Sequence, residues 1–264
     1  MESANRFFAT AAIIGMGEMG GVFARALLKS GHIVVPVTRE TDVAGAVNLY
    51  PKPDIALITV GESDLSGVLA AFPESWKDRA GMLQNELLPR DWEAAGITDP
   101  TVAVVWFEKK AGQDVKVIIP SPIGGPYAAS LADALRTIGI PATITGGPDE
   151  LTAELVTKNL YILTANIGGL VTGGTVAELW HDHHDFSLSV ADEVLAIQEW
   201  LTGRPLDRDR HIAGMEAAIA GDPDHKATGR SAPARLARAL GNAAEADIAT
   251  PQLQDIAAQA GIGS

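Results

Sequence analysis

The residues whose types and spacing most clearly suit a chemical function form a glycine-rich turn near the start of the chain. The turn consists of Gly15, Met16, Gly17, Glu18, Met19 and Gly20. It follows an apolar, β-branched segment and precedes a segment with the apolar spacing of a helix. In such a strand-turn-helix, the first glycine permits the tight turn, the second admits a pyrophosphate, and the third allows close helix packing. The helix N-terminus also attracts phosphates. The turn therefore predicts a dinucleotide-binding site, and an ordinary glycine-rich turn is the alternative.

The end of the second predicted strand bears on the choice of dinucleotide. About 20 residues beyond the glycine turn, an acidic side chain would bind the ribose of NAD, whereas a basic one accommodates the 2′-phosphate of NADP. The sequence here reads Val37, Thr38, Arg39, Glu40. Thr38 and Arg39 favour NADP as the cofactor. NAD remains the alternative, with Glu40 as the ribose ligand.

Alternating strand-like and helical segments up to residue 147 must position this turn. Their order is typical of βαβ units that build a mostly parallel sheet. The predicted strands are 7–14, 33–37, 55–60, 81–84, 102–107, 115–119 and 142–145, with helices over 19–29, 65–72 and 127–138.

The pattern changes after Gly146, Gly147 and Pro148, where strand-like runs stop. Helical spacing predicts helices over 148–171, 187–201, 212–220, 233–244 and 251–260. The predicted fold class is α/β, with an N-terminal doubly wound Rossmann domain over residues 1–147. An all-α C-terminal domain over residues 148–264 follows, for substrate binding or dimerisation.

Composition excludes several classes of function. The formal net charge of −13 over 264 residues opposes binding to nucleic acid and to anionic membranes. The absence of cysteine excludes disulfides and thiol chemistry. No charged-then-apolar leader and no apolar run of about 18 residues are present, so a cytoplasmic location is expected.

A histidine cluster is the one metal candidate by composition. His181, His183 and His184 lie within four residues. The segment falls between two predicted helices, where Asp185 is expected to cap the helix that starts at Ser187. We therefore interpret the cluster as a solvated loop and predict no metal site.

The order of motifs along nearly the whole chain resembles that of the ketopantoate reductase family. The motifs that carry the resemblance are the glycine turn at 15–20, Val37-Thr38-Arg39, Ile58-Thr59-Val60, Leu83-Gln84-Asn85, and Lys158 in the first helix of the second domain. The last two are the more specific, because many dehydrogenases share the first.

The resemblance implies roles for particular residues. Val60 and Gly61 would line the cofactor site, and Asn85 would lie beside the nicotinamide and the substrate. Lys158 would be the general acid, with the substrate between the two domains. Asn85 as a polar cap of its strand, and Lys158 as an exposed ion pair with Glu154, are the alternatives.

Three positions depart from the pattern of that family. Ile162 stands where an asparagine usually follows the lysine; the nearest asparagines are Asn159 and Asn166, and Asn166 is the candidate at the edge of the same cleft. Residues 229–235, which begin with Gly229-Arg230, contain no carboxylate, which leaves Ser231 with Arg230 and Arg235 as candidate substrate ligands; solvated arginines are the alternative. Gly61-Glu62 replaces a lysine near the adenosine. A substrate other than ketopantoate is therefore expected.

These observations predict an NADP-dependent oxidoreductase that reduces a small 2-oxo acid-like carbonyl compound by hydride transfer. A 3-hydroxy acid dehydrogenase or imine reductase-like enzyme is the first alternative. A non-catalytic dinucleotide-binding protein is the second. Alanine- and leucine-rich helices in the second domain favour a homodimer.

Overall fold

The structure is a computed structural model that describes residues 9–262. Internal contacts divide the chain into two compact units, Met1–Thr152 and Ala153–Ser264. The division falls within the first turns of a long helix, whereas the sequence-based boundary lies just before that helix.

The first unit is built around a seven-stranded sheet. Its strands are β1 Thr10–Ile14, β2 Ile33–Val37, β3 Ile55–Ile58, β4 Ala80–Met82, β5 Thr101–Ala103, β8 Ser121–Gly124 and β9 Ala142–Ile144, and a separate hairpin pairs β6 Phe107–Glu108 with β7 Lys116–Val117. The helices are α1 Glu18–Lys29, α2 Val43–Leu49, α3 Glu62–Ala70, a 3-10 helix Glu74–Arg79, α4 Pro89–Glu93 and α5 Ala128–Thr137.

The strand order is β2-β1-β3-β4-β5-β8-β9, and β5 with β8 is the antiparallel pair. The chain leaves β1 for β2 on one side and leaves β3 for β4 on the other. This reversal makes the carboxyl ends of β1 and β3 a topological switch point, where open α/β sheets bind ligands. Ile14 is level with both Val37 and Ile58, so the three strands end together.

The apolar faces of α1 and α5 cover one side of the sheet. Phe23 and Leu27 of α1 and Leu131 and Leu135 of α5 are completely buried in a single cluster with residues of β1 and β3. Burying a large apolar side chain stabilises the fold by about 1.5–3 kcal/mol. This cluster fixes α1, and hence its N-terminus, against the end of β1.

Several predicted strands need correction. The expected strand over 102–107 is two strands, because Val104 and Trp106 donate their backbone N–H groups to Pro122 and to the Ser121 hydroxyl, outside the regular ladder. The segment predicted over 115–119 forms the short β7 of the hairpin. The sequence analysis missed β8, since its proline and glycine argue against a strand. Of the first predicted strand, residues 7 and 8 lie outside the described residues.

Within the described residues, the second unit contains helices and no regular strand. Its helices are α6 Pro148–Thr172, which begins in the first unit, α7 Val176–Asp182, α8 His184–Thr202, α9 Arg208–Gly221, α10 Ala232–Glu245 and α11 Pro251–Gln259. Thr175 and Glu178 form a reciprocal capping box at the start of α7, and the Asp207 carboxylate caps α9. The prediction of a Rossmann domain followed by an all-α domain is confirmed.

The helices of this unit pack closely. A Cβ atom on Gly214 of α9 would lie 2.5 Å from the Thr157 side chain of α6, so the glycine allows this approach. No helix within residues 9–262 is both long enough and apolar enough to span a membrane.

Candidate dinucleotide site

The first glycine of the turn is required by its backbone and by its surroundings. Gly15 has a φ of +95°, in the region that favours glycine. A Cβ atom there would lie 2.8 Å from the side chain of Val60. The Gly15 N–H donates to the carbonyl of Val37 at 2.9 Å. The turn is thereby fixed to the ends of both β2 and β3.

The third glycine lets α1 approach the sheet. A Cβ atom on Gly20 would lie only 2.1 Å from the carbonyl oxygen of Gly15. The hydroxyl of Thr59, just after β3, donates to the same carbonyl and lies 3.1 Å from that of Ile14. Helix α1 therefore begins directly above the switch point.

The second glycine faces open space. Gly17 is the exposed N-cap of α1, and a Cβ atom there would meet no described atom within 4 Å. No side chain among the described residues caps this helix start. The N–H groups of the first turn can therefore receive a diphosphate, since helix N-termini bind phosphate. The residues present fit the diphosphate of a dinucleotide.

The end of β2 carries the two residues predicted to recognise a 2′-phosphate. The Thr38 N–H donates to the Thr41 hydroxyl at 2.8 Å, which forms a tight turn. The Arg39 side chain is 93% exposed, and its guanidinium lies 3.5 Å from the carboxylate of Asp64 in the first turn of α3. The guanidinium is accessible to a ligand, although an acidic neighbour offsets its charge.

The ends of β3 and β4 are joined by a buried amide. Gln84 donates from Nε2 to the carbonyls of Ile58 at 2.9 Å and Val60 at 3.1 Å. Its Oε1 accepts from the Leu83 N–H. Val60 is half-buried and Gly61 is exposed. Gln84 therefore holds the backbone after β3 in place beside the glycine turn.

Asn85 follows directly and is half-buried. Its Nδ2 donates to the Glu62 carboxylate at 2.8 Å, so Asn85 is tied to the start of α3. The next residue, Glu86, has a φ of +61°, a left-handed conformation that is uncommon outside glycine. Such strain is most frequent at functional sites.

The structure thus brings the predicted cofactor residues of the first unit to the carboxyl ends of four adjacent strands. The sequence analysis assigned no positioning role to Thr59, Glu62 or Asp64, although Thr59 belongs to one of the motifs that it named. For Glu62, the sequence analysis noted only that Gly61-Glu62 replaces a lysine near the adenosine. Nothing in the local sequence pattern indicates the partners of these side chains, because each contact joins segments far apart in the chain.

Two candidate residues of the second unit, Lys158 and Ser231, differ in their exposure to solvent. Lys158 is half-buried on α6, and the Glu154 carboxylate lies 3.6 Å from Arg210. Ser231 is exposed just before α10.

Both the nitrogen and the oxygen of the Asn166 side-chain amide form hydrogen bonds within the second unit. Its Nδ2 donates to the Ala227 carbonyl at 3.3 Å, and its Oδ1 accepts from the Arg235 guanidinium at 2.6 Å. Arg235 is buried, so the alternative of a solvated arginine is wrong at that position.

The histidine cluster is more helical than expected. His181 lies in the last turn of α7, and α8 already begins at His184, so Asp185 is in the first turn rather than at the cap. The His184 ring stacks edge-on against Trp180, with 4.7 Å between the ring centroids. Among residues 9–262, no group of three or more histidine and acidic side chains is arranged to hold a metal ion.

A glycine turn at the switch point of a parallel sheet, followed by an all-helical unit, is a Rossmann-type architecture with a helical second unit. No protein-family model and no curated protein matches the sequence. Solved structures do resemble this chain. A 2-dehydropantoate 2-reductase from Methylococcus capsulatus has a TM-score of 0.68 at 18% identity, with 95% of each chain covered.

Two further structures are similar over most of their length. A dimeric ketopantoate reductase from Staphylococcus aureus has a TM-score of 0.61 at 16% identity, with 95% of this chain and 97% of that chain covered. A D-mandelate dehydrogenase, solved with NADH and anilino(oxo)acetate, has a TM-score of 0.64 at 14% identity, with 96% and 97% covered. The chain therefore has the fold of ketopantoate reductases.

Proposed function

We propose that this protein is an NADP-dependent oxidoreductase that reduces a small 2-oxo acid-like carbonyl compound. The observation that carries the proposal is the geometry of the glycine turn. Gly15 and Gly20 are required by close backbone packing, whereas Gly17 leaves the start of α1 open to a diphosphate. When bound, NADPH supplies the hydride.

The first unit supplies the cofactor contacts in this proposal. The N–H groups at the start of α1 bind the diphosphate, and Thr38 with Arg39 binds the 2′-phosphate. The backbone at Val60 and Gly61, held by Gln84, supports the cofactor beyond the diphosphate. Asn85, oriented by Glu62, offers its amide to the nicotinamide side of the site.

Lys158 is the proposed proton donor. Reduction of a carbonyl places negative charge on its oxygen, and an ammonium group can stabilise that charge and then protonate it. Support for this role is the resemblance to ketopantoate reductases, together with the half-buried position of Lys158 on α6.

The proposed substrate differs from ketopantoate. Ile162 is buried and apolar where the related enzymes place an asparagine, and Asn166 is already bonded to Arg235 and Ala227. A site that lacks this asparagine and has no carboxylate over residues 229–235 loses the affinity that hydrogen bonds to a substrate hydroxyl provide. Small 2-oxo acids lacking that hydroxyl are therefore the first compounds to screen, and Ser231 is a candidate contact for their carboxylate.

Two measurements in sequence test the proposal. Fluorescence titration with NADPH and NADH establishes binding, and a screen of 2-oxo acids, 3-oxo acids, aldehydes and imines follows oxidation of the bound cofactor. Turnover of a 2-oxo acid supports the proposed reaction. Turnover of imines or of 3-oxo acids alone would instead support the imine reductase or 3-hydroxy acid dehydrogenase alternative.

The alternative of a non-catalytic dinucleotide-binding protein is supported by Ile162 and by the lack of a carboxylate over residues 229–235. Tight NADPH binding without oxidation by any compound would select it.

With an active substrate, Lys158→Ala should lower kcat at least 10²-fold, because general acid catalysis contributes about that much. Lys226→Ala, which changes the one other lysine beyond residue 147, is the matched control; similar rates for both variants would remove Lys158 from the mechanism.

A further inference from the structure

A lysine of the β6–β7 hairpin lies against the glycine turn. The Nζ atom of Lys109 is 3.1 Å from the carboxylate of Glu18, the ionisable side chain of that turn. Lys109 also donates to the carbonyl of Lys110 at 2.9 Å. The ammonium therefore links the hairpin to the first turn of α1.

Packing beneath the hairpin fixes this position. Phe107 of β6 is buried, and its ring centroid is 6.1 Å from that of Phe23 in α1. Lys109 directly follows β6 and reaches the start of α1 through its contact with Glu18, and its side chain is only 22% exposed.

Glu18 presents an electrostatic difficulty for the proposed function. A carboxylate in the first turn of a helix interacts with the same N-terminal charge that would attract a diphosphate. It also repels the phosphates directly, since like charges separated by a few ångströms oppose each other even near a surface. An ion pair with Lys109 removes this net negative charge from the turn.

We propose that Lys109 neutralises Glu18 and thereby enables the glycine turn to accept a diphosphate. The inference rests on the proposed function, because it concerns affinity at the same dinucleotide site. It assigns to the β6–β7 hairpin an electrostatic role in cofactor affinity, exerted through Glu18 rather than through contact with the cofactor.

A double-mutant cycle tests the inference, with NADPH and ADP-ribose as titrated ligands. Lys109→Met should weaken both ligands about tenfold at 50 mM salt, and the loss should fall to about twofold at 500 mM because salt screens exposed charges. In the Glu18→Gln background, Lys109→Met should cost less than threefold, since no carboxylate remains to be neutralised.

Lys110→Met is the matched control on the same hairpin. Lys110 pairs with Glu108 at 3.0 Å, so its removal should leave both affinities within about twofold of the unmodified chain. Thermal unfolding of every variant reports whether the hairpin itself is disturbed. A general loosening of the hairpin would lower affinity equally in both backgrounds.

Two results would overturn the inference while leaving the proposed function intact. One is unchanged affinity in Lys109→Met, and the other is an undiminished tenfold loss in the Glu18→Gln background, which would show that Lys109 acts independently of Glu18. If the unmodified chain binds neither NADPH nor ADP-ribose, the proposed function itself fails.

Discussion

At the end of β2, the guanidinium of Arg39 lies beside the carboxylate of Asp64, and both side chains are largely exposed. Exposed ion pairs of this kind contribute about 0–1 kcal/mol, so a ligand phosphate can displace Asp64. The carboxylate nevertheless competes with a 2′-phosphate for the same guanidinium. If the protein binds these cofactors as proposed, we expect Arg39 and Asp64 to influence its preference between NADPH and NADH.

Arg39→Ala should weaken NADPH at least tenfold and leave NADH within about twofold, since only NADPH carries the 2′-phosphate. Asp64→Asn should strengthen NADPH about two- to fivefold with no effect on NADH, because one competing charge is removed. Titration of both cofactors against each variant checks this. Equal losses of NADPH and NADH in Arg39→Ala would contradict 2′-phosphate recognition.

Among the structural elements, α1 depends on its glycines in two different ways. Gly20 permits close contact with the backbone of Gly15 in the turn, whereas Gly17 faces open space. Substitution of Gly20 should therefore lower stability, whereas substitution of Gly17 should lower cofactor affinity.

Gly20→Ala should lower the free energy of unfolding by about 1–3 kcal/mol, because the added methyl group forces α1 away from the Gly15 carbonyl. Gly17→Ala should change stability by less than about 1 kcal/mol and yet weaken dinucleotide binding, since a methyl group then occupies the space where a phosphate approaches. Urea denaturation and NADPH titration measure the two effects. Gly21→Ala, one residue on in a position with open space, is the control, and loss of stability there equal to that of Gly20→Ala would refute the packing argument.

The contact between α6 and α9 contains a buried histidine. Thr157 donates its hydroxyl to the Ala153 carbonyl and therefore accepts from His211, whose Nδ1 lies 2.8 Å away. Burial lowers the pKa of His211, and the charge of Arg210 adds to this effect. The folded protein therefore resists protonation of this imidazole.

Stability should depend on pH through this histidine. Below the ordinary histidine pKa of about 6.5, the unfolded chain binds a proton that the folded chain resists, so the free energy of unfolding falls as the pH decreases. The loss ends once the pH passes below the lowered pKa of the folded state. Urea denaturation between pH 8 and pH 5 should show a shallower decrease for His211→Gln; an identical decrease would exclude His211 as its source.

At the scale of the whole molecule, the alanine- and leucine-rich helices of the second unit predict a homodimer. Sedimentation equilibrium should then give twice the 27.6 kDa mass of the chain at micromolar concentration. A mass of one chain at every concentration tested would contradict this prediction.

The order of elements was largely predictable, because apolar periodicity and glycine placement are local properties of the chain. The strands at 33–37 and 142–145 and the helices α1 and α5 were found within a few residues of their bounds. Strand β8 was not predicted, because its proline and glycine lower strand propensity. Only pairing with its neighbours β5 and β9 holds it in the sheet. The sequence analysis missed helix α7, because the helix that follows its capping box has only seven residues.

By itself, the sequence determined the glycine turn, the alternation that builds the sheet and the helical character of the second unit. Each of these depends on neighbouring residues whose types and spacing act locally. Tertiary structure alone decided that Thr59 would hold the turn, that Glu62 would orient Asn85, and that Lys109 would meet Glu18. These contacts join residues from 23 to 91 positions apart, and no local periodicity specifies which distant side chains a folded sheet brings together.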